Sequence, residues 1–183
     1  MELNLLIDLQ HCIKMKIAFG YRMGAGKDEA VSYLLSSHGG TRVAFATPLY
    51  DIQEYAQRMC GFKIEKDRRF LQWVGTEWAR NADPDVWVRA LLGSIPETGN
   101  VFLSDLRFRN EFVALKADGW TCVKLIRTSS LERVGTGNNG HRSEQELDSM
   151  SDTAWDHVIE NNGTLEEFYD RLDILVSKIN NES

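Results

Sequence analysis

KIAFGYRMGAGKDE, Lys16 to Glu29, runs from an apolar stretch into a cluster of glycines, closes on Gly-Lys and leads into a helical pattern. Ile17, Ala18 and Phe19 have the character of a buried strand, and Ala30, Val31, Leu34 and Leu35 recur at helical spacing. Between the two, Gly20, Gly24 and Gly26 let backbone N–H groups turn inward with no Cβ in the way. Those groups and the helix N-terminus aim partial positive charge at one point. Lys27 adds a full, mobile charge suited to the β/γ-phosphates of a nucleoside triphosphate. The stretch therefore reads as a phosphate cradle at a strand-to-helix turn. It departs from the pattern G-x-x-x-x-G-K-[ST] in two ways. Gly20 sits one residue too far upstream, so Tyr21 stands where the first glycine belongs; either the loop carries an extra residue or that glycine is dispensable. Asp28 also replaces the hydroxyl residue that normally binds Mg²⁺, and Glu29 follows it.

Outward from this loop the chain alternates strands with helices. His38-Gly39-Gly40 stops the first helix, and Arg42 to Ala46 reads as the second strand. Thr47-Pro48 opens a helix with Leu49, Ile52, Tyr55, Ala56 and Met59 on one face. The basic run Lys63 to Arg69 leads into two helices broken near Asp83-Pro84, with Asp83 a candidate cap. Val101 to Asp105 is a third strand that ends in a carboxylate, the usual place for holding Mg²⁺ through water; the alternative for Asp105 is a helix N-cap. Trp120 to Ile126 is a fourth strand with Arg127 at its end, and the Ser-, Gly- and Asn-rich Thr128 to Arg142 reads as a mobile loop. Asp156 to Glu160 is a last strand before a C-terminal helix, Thr164 to Ile179, with Thr164 and Glu167 spaced as a capping box. The expected fold is three-layer α/β/α, with a mainly parallel sheet of about five strands. In such sheets ligands lie at the carboxyl ends of the strands, where Gly20 to Lys27, Asp105 to Arg107, Arg127 and Asn161 all fall.

The 183 residues carry a formal net charge of −6, which argues against a protein that coats nucleic acid, since that requires a basic face. Three cysteines, Cys12, Cys60 and Cys122, without C-x-x-C spacing suggest neither a disulfide framework nor a zinc site, and fit a reducing cytoplasm. No apolar run has the length of a membrane span. Met15-Lys16 would make a natural start, so residues 1–14 read as an N-terminal extension to one domain at 15–183; an extra helix packed through Leu3, Leu6 and Leu9 is the alternative. His141 has no metal partners at useful spacing.

Taken in order, GAGKD, FATPL at Phe45 to Leu49, LQWVGTEWAR with DPDVWV, SDLRFRNE at Ser104 to Glu111, HRSE at His141 to Glu144 and the closing DHVIENNGTLEE resemble the bacteriophage-type deoxynucleoside monophosphate kinases. These are relatives of the P-loop nucleoside monophosphate kinases, and the similarity covers nearly the whole chain from Lys16. Asp commonly follows the loop lysine in that family, whereas Glu29 stands where Thr is usual, and Leu106, Arg109 and Tyr50 also depart from its pattern.

The resemblance implies a P-loop NTPase fold with a helical acceptor-binding insertion at about 47–98 and a mobile lid at about 127–146. It implies ATP as co-substrate, Mg²⁺, and transfer of the γ-phosphoryl group to a deoxynucleoside monophosphate (dNMP). Gly24, Ala25, Gly26, Lys27, Asp28 and Glu29 would line the ATP phosphates; Asp105, with Asp28 as helper, would hold Mg²⁺ through water. Arg22, Arg68, Arg80 and Arg107 are the candidates for the acceptor phosphate, and Trp87 and Trp155 for stacking on its base. Arg127 and the lid residues Arg133 and Arg142 would neutralise charge in the transition state, and Asn161 and Gly163 would lie against adenine. Nucleotides would then be the only partners, with neither nucleic acid nor membrane, for a monomer or homodimer in the cytoplasm, the host's if the chain is phage-encoded. Two other readings remain: a dephospho-coenzyme A kinase-like small-molecule kinase, and a regulatory module that binds ATP and transfers nothing.

Overall fold

A computed structural model of the protein describes residues 15–128 and 146–182. The expected extension at 1–14 and most of the expected lid, including Arg133, His141, Arg142 and Ser143, lie outside the described residues. What is described falls into two compact units, one drawn from Met1–Arg42 and Pro96–Ser183, the other Val43–Ile95.

The first unit is built on a five-stranded sheet in the order β2-β3-β1-β4-β5. Its strands are β1 (Lys16–Gly20), β2 (Thr41–Val43), β3 (Val101–Leu106), β4 (Thr121–Ile126) and β5 (His157–Glu160). β1 lies between β3 and β4 and pairs with both in parallel, and β5 extends the sheet parallel to β4. Parallel strands need crossovers: α1 (Lys27–His38) lies on the path from β1 to β2 and α6 (Arg109–Ala117) on the path from β3 to β4, while α7 (Leu165–Glu182) follows the last strand.

Ile17 to Gly20 are buried along the whole strand, as befits a sheet covered on both faces. Because alternate side chains point to opposite faces, Ile17 and Phe19 join Ala30, Val31 and Leu34 of α1 and Phe168, Leu172, Val176 and Ile179 of α7 in one core. On the other face Gly20 meets the ring of Trp155, which packs edge-on against Phe112 of α6 with centroids 4.9 Å apart. The result is the expected three-layer α/β/α arrangement. Strand ends shift slightly from the sequence reading: β2 ends at Val43 rather than Ala46, and β3 continues to Leu106.

In the second unit α2 (Thr47–Met59) starts at the expected Thr-Pro. Next comes α3 (Arg68–Gln72), which runs into a π-helical turn (Trp73–Trp78) and then α4 (Ala79–Ala82). Asp67 caps α3 by accepting from the N–H groups of Arg69 and Phe70 at 2.9 and 3.0 Å. The π turn frees carbonyl groups from the regular ladder, and the indole of Trp87, on α5 (Val86–Leu92), donates to the Gly75 carbonyl at 2.9 Å. Asp83 does mark the break between helices. It accepts from the Asp85 N–H at 3.0 Å and pairs with Arg89, so the helix starts at Val86 rather than at Pro84.

Candidate phosphate-binding site

The loop from β1 to α1 has the backbone its glycines suggest. Gly24 and Gly26 have φ of 81° and 101°, both in the left-handed region. The surprise is Tyr21. At the position of the missing first glycine it adopts φ 92°, and it is the one non-glycine with positive φ among the described residues. The loop therefore keeps the turn and does without the glycine, which settles the spacing question in favour of a substituted residue.

Lys27 is the first residue of α1, and its side chain folds back over the loop, donating to the carbonyls of Tyr21 at 3.0 Å and Arg22 at 2.6 Å. At 7% exposure it is buried rather than solvent-facing. The loop's far side is held by the chain after β5: Asn161 is 8% exposed and its amide donates to the Ala25 carbonyl at 2.9 Å. One N–H of the residue expected against adenine therefore ties the loop to the chain after β5. Gly163 also has a local task, since a Cβ there would sit 1.9 Å from Glu167 Oε2. That carboxylate accepts from the Thr164 N–H at 2.9 Å while Thr164 Oγ1 accepts from the Glu167 N–H, the expected capping box.

The carboxyl end of β3 lies next to this loop, with Gly20 in register with Leu106. Ser104 donates to Asp28 Oδ1 at 2.7 Å, which brings Asp28 to the strand that carries Asp105. Asp105 lies within β3 and the N-cap of α6 is Phe108, so the capping alternative for Asp105 falls away. Glu111, only 1% exposed, performs the local capping by accepting from the N–H groups of Arg107 and Phe108 at 2.9 and 3.0 Å. Glu29 points elsewhere: Tyr169 on α7 donates to it, and Tyr169 stacks on Tyr33 with centroids 4.0 Å apart. Accepting that bond, Glu29 holds the Tyr169 phenol above its ordinary pKa. The residue that breaks the family pattern is thus used to join α1 to α7.

The donor set at this corner suits a small, hard divalent cation. Asp28 has an 84% exposed side chain that pairs with Arg42 at 3.5 Å and accepts from the Ser104 hydroxyl, while Asp105 follows Ser104 in β3, where successive side chains face opposite ways. Among the described residues no group of three or more His, Cys, Asp or Glu side chains gathers. One or two carboxylates with waters and substrate phosphates are what Mg²⁺ takes, in place of an all-protein cage.

The remaining expected residues are distributed as follows. Arg22 makes a two-point ion pair with Asp148 at 3.2 and 2.6 Å. Burial works against its charge, but the Asp148 pair outweighs that and leaves the guanidinium above its ordinary value. Arg107 and Arg127 stand at the carboxyl ends of β3 and β4. In the second unit Arg80 is buried and its guanidinium approaches the Pro84 carbonyl at 3.4 Å, while Arg68 opens α3. Trp87 and Trp155 are 4% and 6% exposed, so both correct the expectation of a stacking surface. The exposed indoles are Trp73 and Trp78, at 51% and 55%, brought together by the π turn with centroids 6.4 Å apart. In an α-helix residues five apart diverge, which is why the sequence pattern did not single them out. Lys124, Asp152 and Glu111 were also missed. The only signal was a lysine in the apolar run WTCVKLI and a glutamate three residues past Phe108.

No family model matches the chain. It is 36% identical over 164 residues to the uncharacterized protein ORF77 of Ictalurid herpesvirus 1 (strain Auburn), across 85% of this chain and 68% of that protein. It is 29% identical over 191 residues to a protein of Acanthamoeba polyphaga mimivirus named as a candidate deoxynucleotide monophosphate kinase, across 87% of this chain and 93% of that one. Among solved structures, shikimate kinase from Acinetobacter baumannii matches with a TM-score of 0.55 and 14% identity over 94% of this chain and 97% of its own. The protein TT1252 from Thermus thermophilus matches with a TM-score of 0.51 and 19% identity, over 91% and 98%. At these identities the structural matches speak to the fold alone.

Proposed function

This chain belongs to one family with the herpesvirus ORF77 protein, and from its likeness to the mimivirus protein named as a candidate deoxynucleotide monophosphate kinase we propose that it is a P-loop phosphotransferase that transfers the γ-phosphoryl group of ATP to a deoxynucleoside 5′-monophosphate, giving ADP and the deoxynucleoside diphosphate. The observation that carries this reading is the folded loop, in which the Lys27 ammonium already lies across the Tyr21 and Arg22 carbonyls at the N-terminus of α1. An ammonium held there is placed to exchange carbonyl oxygens for phosphate oxygens when ATP enters.

Phosphoryl transfer needs little covalent work from the protein; positioning and charge neutralisation dominate. Lys27 and the loop amides from Gly24 to Asp28 take the β- and γ-phosphates. Asp28 and Asp105 are the residues that would hold Mg²⁺, and the ion would supply neutralisation of the phosphate charge. Arg107 is assigned to the acceptor phosphate, and Arg68 and Arg80 keep the acceptor role that the resemblance implies for them. Arg127 meets charge that develops on the transferred group. We assign the activity to the supply of DNA precursors for a virus; among the described residues no helix is long and apolar enough to cross a membrane.

The test is ADP production from ATP and Mg²⁺ with dGMP, dTMP, dAMP, dCMP, GMP and dephospho-coenzyme A offered one at a time, beside a control with no acceptor. ADP that depends on a deoxynucleoside monophosphate is the expected result. Dependence on dephospho-coenzyme A alone moves the acceptor class, ADP regardless of acceptor marks a hydrolase, and ATP binding without turnover marks a regulatory module.

A further inference from the structure

Tyr21 holds a backbone conformation that a residue with a Cβ rarely adopts, at the place where the loop pattern asks for glycine. Such a residue persists only where its surroundings over-determine it. The Tyr21 ring lies 4.1 Å from the Lys124 ammonium and 5.9 Å from the Arg22 guanidinium. Lys124 is buried at 5% exposure in the middle of β4, in register with Gly20, which places it beside the residue that opens the loop. Its ammonium is fixed by Asp152 Oδ1 at 2.7 Å, as Arg22 is by Asp148 at 2.6 Å. The carbonyls of Tyr21 and Arg22 are the two that Lys27 engages.

We propose that Lys124, anchored by Asp152, is a positioning residue for the phosphate loop. It holds the face of the Tyr21 ring by a desolvated cation–π contact and so keeps Tyr21 in the left-handed turn that sets the Lys27 acceptors and the loop amides. A glycine would reach that turn by lacking a Cβ; this chain reaches it by clamping a ring. The inference rests on reading the loop as the cradle for the ATP phosphates. It explains why a lysine occupies the interior of an otherwise apolar strand, where an ammonium is tolerated only with partners.

The clamp makes a specific prediction: Lys124 matters only while position 21 carries a ring. Four proteins test it: the wild type, Lys124→Met, Tyr21→Gly, and the double variant. ATP affinity is read by equilibrium titration with a fluorescent ATP analogue, and kcat and KM for ATP are read alongside. With Tyr21 present, Lys124→Met should weaken nucleotide binding by up to about 30-fold, the reach of a desolvated cation–π contact. With glycine at position 21 the same substitution should cost less than about twofold. An equal loss in both backgrounds would mean that Lys124 acts on the nucleotide itself, and would overturn the proposal, as would no loss with Tyr21 present. Should Lys124→Met not fold, Tyr21→Leu removes the ring and leaves the Lys124–Asp152 pair; its nucleotide affinity should fall by a similar factor, and wild-type affinity would refute the clamp. Binding of ATP is measured without an acceptor, so a wild type that binds ATP and phosphorylates no deoxynucleotide would count against the proposed reaction while leaving the clamp to be judged by these affinities.

Discussion

Replacing Asn161 by alanine removes the amide that the buried Ala25 carbonyl accepts at 2.9 Å, in the middle of the phosphate loop. Leaving a buried acceptor without its donor costs about 1–3 kcal/mol. For a chain of this length each kcal/mol lowers the unfolding midpoint by about 2–4 °C, so the expected drop is about 2–12 °C. Asn161→Asp is the sharper form, since it keeps the shape and sets a carboxylate oxygen against the carbonyl in place of the N–H. Burial and that contact both oppose the charge, so the folded-state pKa of the new carboxyl rises above the unfolded value of about 3.9. The sign follows: the penalty is absent below about pH 4, grows as pH climbs toward the raised folded value, and then stays constant. Thermal unfolding of the wild type and both variants from about pH 4 to about pH 8 checks this, with ATP-analogue affinity measured beside it. If Asn161→Ala melts with the wild type and binds ATP equally well, or if Asn161→Asp tracks the wild type at every pH, the Asn161–Ala25 contact does not support the loop. Gly26→Ala approaches the same contact from the other side, since a Cβ would lie 2.5 Å from Asn161 Nδ2 on a residue at φ 101°.

Lys27→Ala should lower turnover by at least about 100-fold while the protein stays folded, because the Tyr21 and Arg22 carbonyls it leaves can turn to water; near-normal turnover in a steady-state assay would end the phosphate-loop assignment. Burial first, and then the Asp156 charge, push the Cys122 thiol up to about 12, so it stays protonated when folded and ionises at about 9 when unfolded. Stability should therefore fall with rising pH between those values, by at most about 1.4 kcal/mol per unit relative to Cys122→Ala. Urea unfolding of the two proteins from about pH 8.5 to about pH 10.5 measures it, and parallel slopes would contradict the burial argument. Trp87→Phe keeps an aromatic ring and deletes the donor to the Gly75 carbonyl, at a cost of about 1–3 kcal/mol. Thermal unfolding that is unchanged by this substitution would show that the π turn does not depend on the indole.

Much of the phosphate site was legible because its parts are adjacent in the chain. The run from Ile17 to Leu35 carries its own strand periodicity, glycine turns and helix periodicity, and β1, α1 and the loop between them formed as those signals indicate. The Thr164–Glu167 capping box is equally local. The two tryptophans chosen for stacking show the limit of this reasoning. A tryptophan's type says that it buries well, but which of five becomes exposed depends on the π turn and on what packs beneath it, and neither is a property of the residue.

The sequence by itself determined the order of strands and helices and the chemistry of the loop, since both rest on hydrogen bonds and periodicities closed within a few residues. The tertiary structure alone decided the partners. Asn161 reaches Ala25 across 136 residues and Ser104 reaches Asp28 across 76. Lys124 comes to the Tyr21 ring because β4 pairs directly with β1. Parallel strands are joined through crossovers, so the sheet order β2-β3-β1-β4-β5 sets beside one another side chains that have no neighbourhood in sequence.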